Sequence, residues 1–156
     1  MRMLRSAVFL AAGLGLLAGP GCETLDDIGS GSSTPRAGEF VQVDVPRPDD
    51  EGTVPVLIEK NKGDANHELA ISRMQTAQYE SAAGLLESGL ADNKPLAEAG
   101  SSDRQKYMRE HLALAVCHEM LGRESEAHDH YVRANDCRSD DRAQAGARRC
   151  AEKLGL

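Results

Sequence analysis

Aromatic residues are scarce in this sequence. Its 156 residues include three Tyr, two Phe and no Trp. Beyond the first 21 residues only Phe40, Tyr79, Tyr107 and Tyr131 remain. The strands of β-sandwiches are enriched in aromatic and β-branched residues, so this composition argues against such an architecture. A core of Leu, Ala, Met and Val instead favours closely packed helices.

An excess of positive charge is also missing. The formal net charge is −7, and residues 22–156 carry 16 basic against 25 acidic groups, a net charge of −9. A surface of this sign repels phosphate backbones, which argues against nucleic acid as a partner. The acidic residues are spread along the predicted helices, a pattern typical of solvated faces.

The sequence lacks the usual signatures of catalysis. It contains no recognisable nucleophile–base pair, phosphate-binding glycine loop or carboxylate dyad. The C-x-x-C-H pattern of haem attachment is absent as well. We therefore expect no enzymatic activity and no cofactor, and the sequence favours a binding function.

The apolar segment near the N-terminus is short. Met1–Arg5 is basic, and Ser6–Gly19 is an uncharged, mostly apolar run that ends before Pro20. A helix that crosses a bilayer needs about 20 such residues, and Ser6–Gly19 falls short of that length. A basic head, a short apolar run and small residues before a break are typical of a secretory signal peptide, here residues 1–21. A short transmembrane anchor is the alternative.

Cys22 follows this segment directly. Leu17–Cys22 (L-A-G-P-G-C) resembles the cleavage site of bacterial lipoproteins, with Gly21 at the small position and Gly19 and Pro20 departing from the usual residues. The resemblance implies that Cys22 becomes the lipidated first residue, and several acyl chains suffice for stable anchoring. It also implies an exported protein that faces the periplasm, and Glu23 favours the outer membrane. The alternative is ordinary cleavage nearby, which leaves Cys22 a plain thiol.

Residues 22–62 are predicted to form a lipid-anchored linker and an extended arm. Residues 23–39 are rich in Gly, Ser and Thr, which is typical of a flexible tether. Within 40–60 two short stretches alternate apolar and polar residues, as strands do. We expect an extended arm, a weak hairpin or a strand along the helices, and disorder is the alternative.

Residues 63–156 are predicted to be helical. Apolar spacing indicates helices over about 64–76, 79–91, 103–121 and 124–136, followed by a fifth that Ser139 caps. A capping box at Ser102–Gln105 starts the third helix, and Gly122 ends it. Expected buried positions, at helical spacing, are Leu69, Ala70, Met74, Ala77, Ala82, Ala83, Leu86, Gly89, Leu90, Met108, Leu112, Ala115, Met120, Ala127, Tyr131, Ala134, Ala143, Ala147, Cys150 and Leu154.

The first two helical pairs repeat one another 45 residues apart. Residues 69–90 align with 114–135, and the matched positions are Leu69 with Leu114, Ala70 with Ala115, Ile71 with Val116, Ala77 with Gly122, Ala82 with Ala127, Leu86 with Tyr131 and Gly89 with Ala134. This pattern resembles the tetratricopeptide repeat over about residues 63–156. Asn66, His111 and Glu124 depart from it, because larger or aromatic residues are usual there.

The resemblance implies an all-α fold with two tetratricopeptide-like pairs and a C-terminal capping helix. Such repeats are about 34 residues long, so the second copy is displaced by an insertion around 94–102 and by a longer third helix. Two units are few for a solenoid, so a partner or self-association is expected to cover one face. The oligomeric state stays undetermined by the sequence.

The resemblance also implies a concave face built by the first helix of each pair. A peptide or helix of another protein would bind there. The alternative is that several of these residues pack against the insertion or the arm. The positions expected to line this face are His67, Ile71, Met74, Gln75, Leu112, Val116, Glu119 and Met120.

Histidine and cysteine allow two further interpretations. Four of the five His fall within 111–130, but their spacing does not suit a metal site, so we expect solvated side chains. If Cys22 is acylated, three cysteines remain. Cys117 and Cys150 lie 33 residues apart, almost one repeat, and would sit at one level on neighbouring helices. They could form a disulfide or stay as small buried side chains.

Two functions remain open on the sequence. The first is a non-catalytic envelope lipoprotein whose repeats bind another protein, as a scaffold or adaptor in an envelope assembly or a secretion system. The second is a structural helical module, or an accessory subunit of an envelope enzyme complex, without a peptide-binding groove of its own. An enzyme in its own right is the least favoured class.

Overall fold

The computed structural model describes residues 38–49 and 51–156. These residues form a small two-stranded sheet followed by five helices and belong to one compact unit. The elements are β1 (Phe40–Pro46), β2 (Thr53–Glu59), α1 (Ala65–Gln75), α2 (Tyr79–Ala91), α3 (Ser101–Met120), α4 (Glu124–Cys137) and α5 (Asp141–Leu154). The described residues are thus mostly helical with one small sheet, and residues 40–59 form a hairpin, one of the arrangements expected for the arm.

Strands β1 and β2 form an antiparallel hairpin in which Val43 pairs with Val56 and Val45 with Val54. Its side chains alternate between the two faces, as a strand requires. The face turned to the helices buries Val41, Val43, Val45, Val56 and Ile58. Prolines at 46 and 55 are tolerated because each strand of a two-stranded sheet keeps one open edge.

The hairpin is fastened to the helices and is part of the same hydrophobic core. It packs on α1 and α3. At the end of β2, the Arg109 guanidinium of α3 forms an ion pair with Glu59. On the outer side, Arg142 Nη1 of α5 donates to the Leu57 carbonyl at 2.9 Å. The compact unit therefore includes the hairpin, and a boundary at residue 63 divides a single core.

Helix α3 lies at the centre of the unit. It contacts both strands and each of the other four helices. A helix surrounded on all sides is expected to be buried all round rather than along one stripe. Every residue from Leu112 to Glu119 is accordingly buried. Helices α1 and α2 form one antiparallel pair and α3 and α4 a second, and the two pairs contact each other through α2 and α3.

The two pairs turn in the same way. In the first, the Gln78 amide donates to the Arg73 carbonyl at 2.9 Å; in the second, the Arg123 amide donates to the His118 carbonyl at 2.9 Å. Both turns place one residue in the left-handed region, Ala77 at φ 56° and Gly122 at φ 71°. The repeat detected in the sequence is therefore a repeat of backbone hydrogen bonding as well.

The alanine at the first of these turns is strained. A left-handed conformation costs an L-residue about 1–2 kcal/mol, and the greater freedom of unfolded glycine offsets part of this. We expect Ala77→Gly to raise the free energy of unfolding by about 1 kcal/mol, and Gly122→Ala to lower it by a similar amount. No atom within 4 Å would obstruct a Cβ at Gly122, so the cost there is conformational. Urea unfolding of both variants checks this, and changes of equal sign would contradict it.

Two helix starts differ from the prediction. Helix α3 begins at Ser101 after Gly100, whose amide donates to the Asp103 carboxylate at 3.4 Å, so the capping box at Ser102–Gln105 is wrong. Helix α5 is capped by Asp140, which accepts from the amides of Arg142 and Ala143, and not by Ser139. A carboxylate one residue from a hydroxyl competes for the same amides and also favours the positive helix end.

Several expected core positions lie elsewhere. Leu69 is 45% exposed and Leu154 is 41% exposed, while Ala77 is exposed in its turn. In α5 the buried stripe is Ala143, Gly146 and Cys150. Helical periodicity identifies a stripe, but neighbouring elements decide which edge of the stripe is covered.

Candidate functional site

An open groove runs between α2 and α4, with α3 as its floor; we call it the α2–α4 groove. Its main depression, of about 340 Å³, is lined by Glu87, Leu90, Ala91, Asn93, His111, Leu114, His130 and Arg133. An adjoining depression of about 220 Å³ continues towards the α2–α3 loop and adds Lys94, Leu96, Tyr107, Asp136 and Cys137. The two depressions share Asn93, His111 and Arg133, so they form one continuous surface.

The loop that forms one end of the groove is held by α3. The Lys94 amide donates to the Tyr107 hydroxyl at 2.9 Å. The Arg104 side chain donates to the carbonyls of Leu96, at 3.1 Å, and Ala99, at 3.3 Å. The insertion that separates the two repeats is therefore an ordered wall of the groove. It presents Leu96, which is 36% exposed.

The groove combines apolar contact area with few charges. Leu90 and Leu96 supply the accessible apolar part, and Glu87, Lys94, Arg133 and Asp136 the charges. Arg133 is exposed and has no hydrogen bond or ion pair with any of the residues described. A guanidinium in this position can form paired hydrogen bonds with a carboxylate.

Three histidines meet at the floor and wall of the groove. The Nδ1 atoms of His111 (α3) and His130 (α4) are 3.1 Å apart, so one carries the proton and the other accepts it. The ring of His118 stacks on that of His130, with centroids 5.4 Å apart and planes 5° from parallel. His118 Nε2 lies 3.9 Å from Glu87 Oε1. We call these rings the histidine cluster, and it corrects the expectation of solvated histidines.

Burial controls the titration of the cluster. It lowers the pKa of His111 from 6.5 to about 4, with a smaller contribution from the Arg133 charge. Burial, together with the neighbouring rings, also lowers the pKa of His130 to about 4. Burial lowers the pKa of His118 too, although Glu87 opposes the shift. The rings are therefore neutral near pH 7.

A second polar group, with a fully buried carboxylate, lies between α3, α4 and α5. Glu119 Oε2 accepts from the Tyr131 hydroxyl at 2.7 Å, and the Arg149 guanidinium donates to both carboxylate oxygens, at 3.0 and 3.1 Å. A Cβ at Gly146 would collide with the Tyr131 ring, so glycine is required there. Burial and the charge of Glu119 raise the pKa of Tyr131 well above its usual range. These contacts hold the last helix onto the second pair.

The residues predicted to line a concave binding face are mostly inside the core. His67, Ile71, Met74, Leu112, Val116 and Glu119 are buried, with exposures of 2% or less. Only Gln75 is exposed, and Met120 is half-buried. The hairpin packs on α1 and α3, the helices that carry these residues. The arm therefore packs on these two helices, while Glu119 is covered by α4 and α5, and the prediction of an accessible groove there is wrong.

The cysteines of the described region are not paired. Cys117, Cys137 and Cys150 are buried free thiols, so the alternative of a Cys117–Cys150 disulfide is wrong in this structure. Burial raises the pKa of Cys117 and of Cys150 to about 12, which keeps both protonated. They act as small apolar side chains against their neighbours.

Other predictions concern residues that the structure does not describe. The signal peptide (1–21), the lipidation site Cys22 and the tether all lie outside the described residues. Over 38–49 and 51–156, no group of three or more potential ligands is placed to hold a metal ion. None of the helices in that part of the chain has the length and apolarity that a membrane span requires.

The sequence analysis missed the histidine cluster, although the signal was present. In an antiparallel helical pair, residues at similar distances before and after the turn face each other. His111 precedes Gly122 by 11 residues, and His130 follows it by eight. His118 lies two turns after His111 on the same face of α3. Pairing the helices about their turn would have placed His111 near His130, whereas the stacking of His118 on His130 depends on how α4 packs.

Comparison with known proteins found no matching family model, no matching curated protein and no matching solved structure. The class that the fold defines is a five-helix unit of two similar helical pairs and a final helix, with a β-hairpin packed on the first helices of the pairs.

Proposed function

We propose that this protein is an exported, lipid-anchored envelope protein whose tetratricopeptide-like repeats bind another protein through the α2–α4 groove. Cys22 would carry the lipid, and the domain would face the periplasm. The outer membrane is the favoured site of anchoring. Catalysis has no part in this proposal. The protein would act as a scaffold or adaptor in an envelope assembly or secretion system.

The α2–α4 groove is the observation that carries the proposal. It is open, it is floored by apolar and imidazole side chains, and its end wall is an ordered insertion. Arg133 stands at its rim without a partner among the described residues. A segment with an apolar residue beside a carboxylate has the matching chemistry, since buried apolar area provides affinity and the guanidinium fixes orientation.

A second candidate is a structural module without a peptide-binding groove, such as an accessory subunit of an envelope enzyme complex. The hairpin supports this candidate, because it already covers the face that the repeat resemblance assigns to ligands. The two candidates differ in what the α2–α4 groove contacts in the cell.

Site-specific photo-crosslinking in the native host separates them. We expect a photoreactive amino acid at Leu96, in the groove, to yield a discrete crosslinked protein, whereas one at Arg148, exposed on α5, yields none. Arg133→Glu should reduce the Leu96 product about tenfold or more, because a hydrogen bond to a charged group contributes about 1.5–3 kcal/mol. Arg148→Glu is the matched charge control. Equal products from both positions, or no effect of Arg133→Glu, would favour the structural module.

The anchor is tested in the same cells with Cys22→Ser. We expect the full chain to leave the membrane fraction, and the wild-type N-terminal peptide to carry the mass of an acylated cysteine. An unmodified Cys22, or cleavage at another residue, would remove the lipid anchor from the proposal without affecting the groove.

A further inference from the structure

The histidine cluster joins elements that are distant in sequence. His111 and His118 belong to α3, His130 to α4, and Glu87 of α2 reaches His118. The α3–α4 interface is the most extensive in the unit, and the residues that α4 buries are Ala127, Tyr131, Ala134 and Cys137. Contacts among the rings therefore lie where α4 is held onto its neighbours.

We infer that the histidine cluster is an acid-sensitive joint that releases α4 from α3 when its rings are protonated. This inference does not depend on the proposed partner or on the lipid anchor. It rests on the contact between two Nδ1 atoms at 3.1 Å, which one proton can bridge and two cannot. When both rings carry a second proton, the facing nitrogens are two donors and the rings two like charges.

The surroundings of the cluster offer limited compensation. Glu87 can pair with a protonated His118, at 3.9 Å, but it is itself largely exposed. His111 has no carboxylate among the groups that shift its pKa, and Arg133 opposes its protonation. The charged groups that act on the three rings are Glu80 and Glu87 from α2, Arg123 from the turn, and Glu126, Asp129 and Arg133 from α4.

The direction of the pH effect follows from the lowered pKa values. A ring with a pKa of about 4 when packed and 6.5 when released takes up a proton on release between those values. The stabilising contribution is thus complete above pH 6.5 and is lost as the pH falls towards 4. At pH 5 each such ring favours the released form roughly 30-fold more than at pH 8.

Amide hydrogen exchange of the full chain, with a chelator in all buffers, tests the joint. We expect the protection of α4 amides, corrected for intrinsic exchange, to fall by well over roughly 30-fold between pH 8 and pH 5, because two such rings, His111 and His130, contribute. Burial also lowers the pKa of His67 to about 4, so amides of α1 and the hairpin should lose no more than roughly the 30-fold of a single ring. A uniform loss over all elements would overturn the inference.

A matched pair of variants on the same helices assigns the effect. His111→Gln with His130→Gln should remove most of the pH response of α4, because glutamine does not titrate. His128→Gln, also on α4 but outside the cluster, should retain it. Proton NMR titration of the wild-type rings needs no variant to fold. His111 and His130 titrating near pH 6.5 in the folded chain, or an unchanged α4 response in the double variant, would refute the joint.

Discussion

Glu119→Ala is expected to lower the free energy of unfolding by about 3–5 kcal/mol, the cost of removing one partner from a buried ion pair. The Glu119 side chain is fully buried, and that of Arg149 is only 12% exposed. The substitution leaves the guanidinium and the Tyr131 hydroxyl without their acceptor. Because these groups come from α3, α4 and α5, the packing of all three helices depends on this carboxylate.

The measurement is urea unfolding of the full chain followed by far-ultraviolet circular dichroism. Glu119→Gln keeps an acceptor for Tyr131 but loses the charge that faces Arg149, so its cost should be intermediate. Arg123→Ala removes an exposed ion pair with Glu80 and should cost no more than about 1 kcal/mol. If Glu119→Ala costs no more than Arg123→Ala, the buried network does not stabilise the fold.

Ile58→Ala is expected to lower the free energy of unfolding by about 2–5 kcal/mol, as for other large aliphatic side chains truncated in a core. Ile58 is fully buried on the helix-facing side of β2. The substitution removes apolar contact between the hairpin and the helices and leaves a cavity there. The loss should appear in the helical signal, although Ile58 itself lies in a strand.

The adjacent residue is the control. Leu57 points away from the helices and is 47% exposed, so Leu57→Ala should change stability by no more than about 0.5 kcal/mol. The scale of β-propensity spans only about 1 kcal/mol, so a larger difference between the two substitutions reports burial. An Ile58→Ala protein whose helices unfold at the wild-type urea midpoint would show that the hairpin is separate from the helical core.

Local features of the chain could be predicted because local interactions decide them. Helical periodicity located α1, α2 and α4 to within one residue at either end, and the match of Ala77 with Gly122 identified two turns that share one hydrogen-bond pattern. The predicted helix caps were wrong only where two candidate cap residues lie within one or two positions of each other, as Ser139 and Asp140 do.

The site could not be predicted in the same way because it depends on contacts between distant segments. The alternation in residues 40–60 allowed a hairpin, but pairing and docking of strands require partners that periodicity does not name. His67, Ile71 and Val116 were expected to face a ligand because the repeat resemblance leaves that face open. The hairpin covers it instead, and the accessible groove lies between α2 and α4.

By itself the sequence determined the helical class, the two similar pairs and the positions of their turns, because hydrophobic periodicity and turn chemistry act over a few residues. Only the tertiary structure decided which surface is free, which histidines meet, and that Glu119 is paired rather than exposed. Those outcomes depend on where β1, β2 and α5 pack against α3. When a distant segment covers part of a helix, the hydrophobic periodicity of that helix does not change, so its sequence does not reveal the burial.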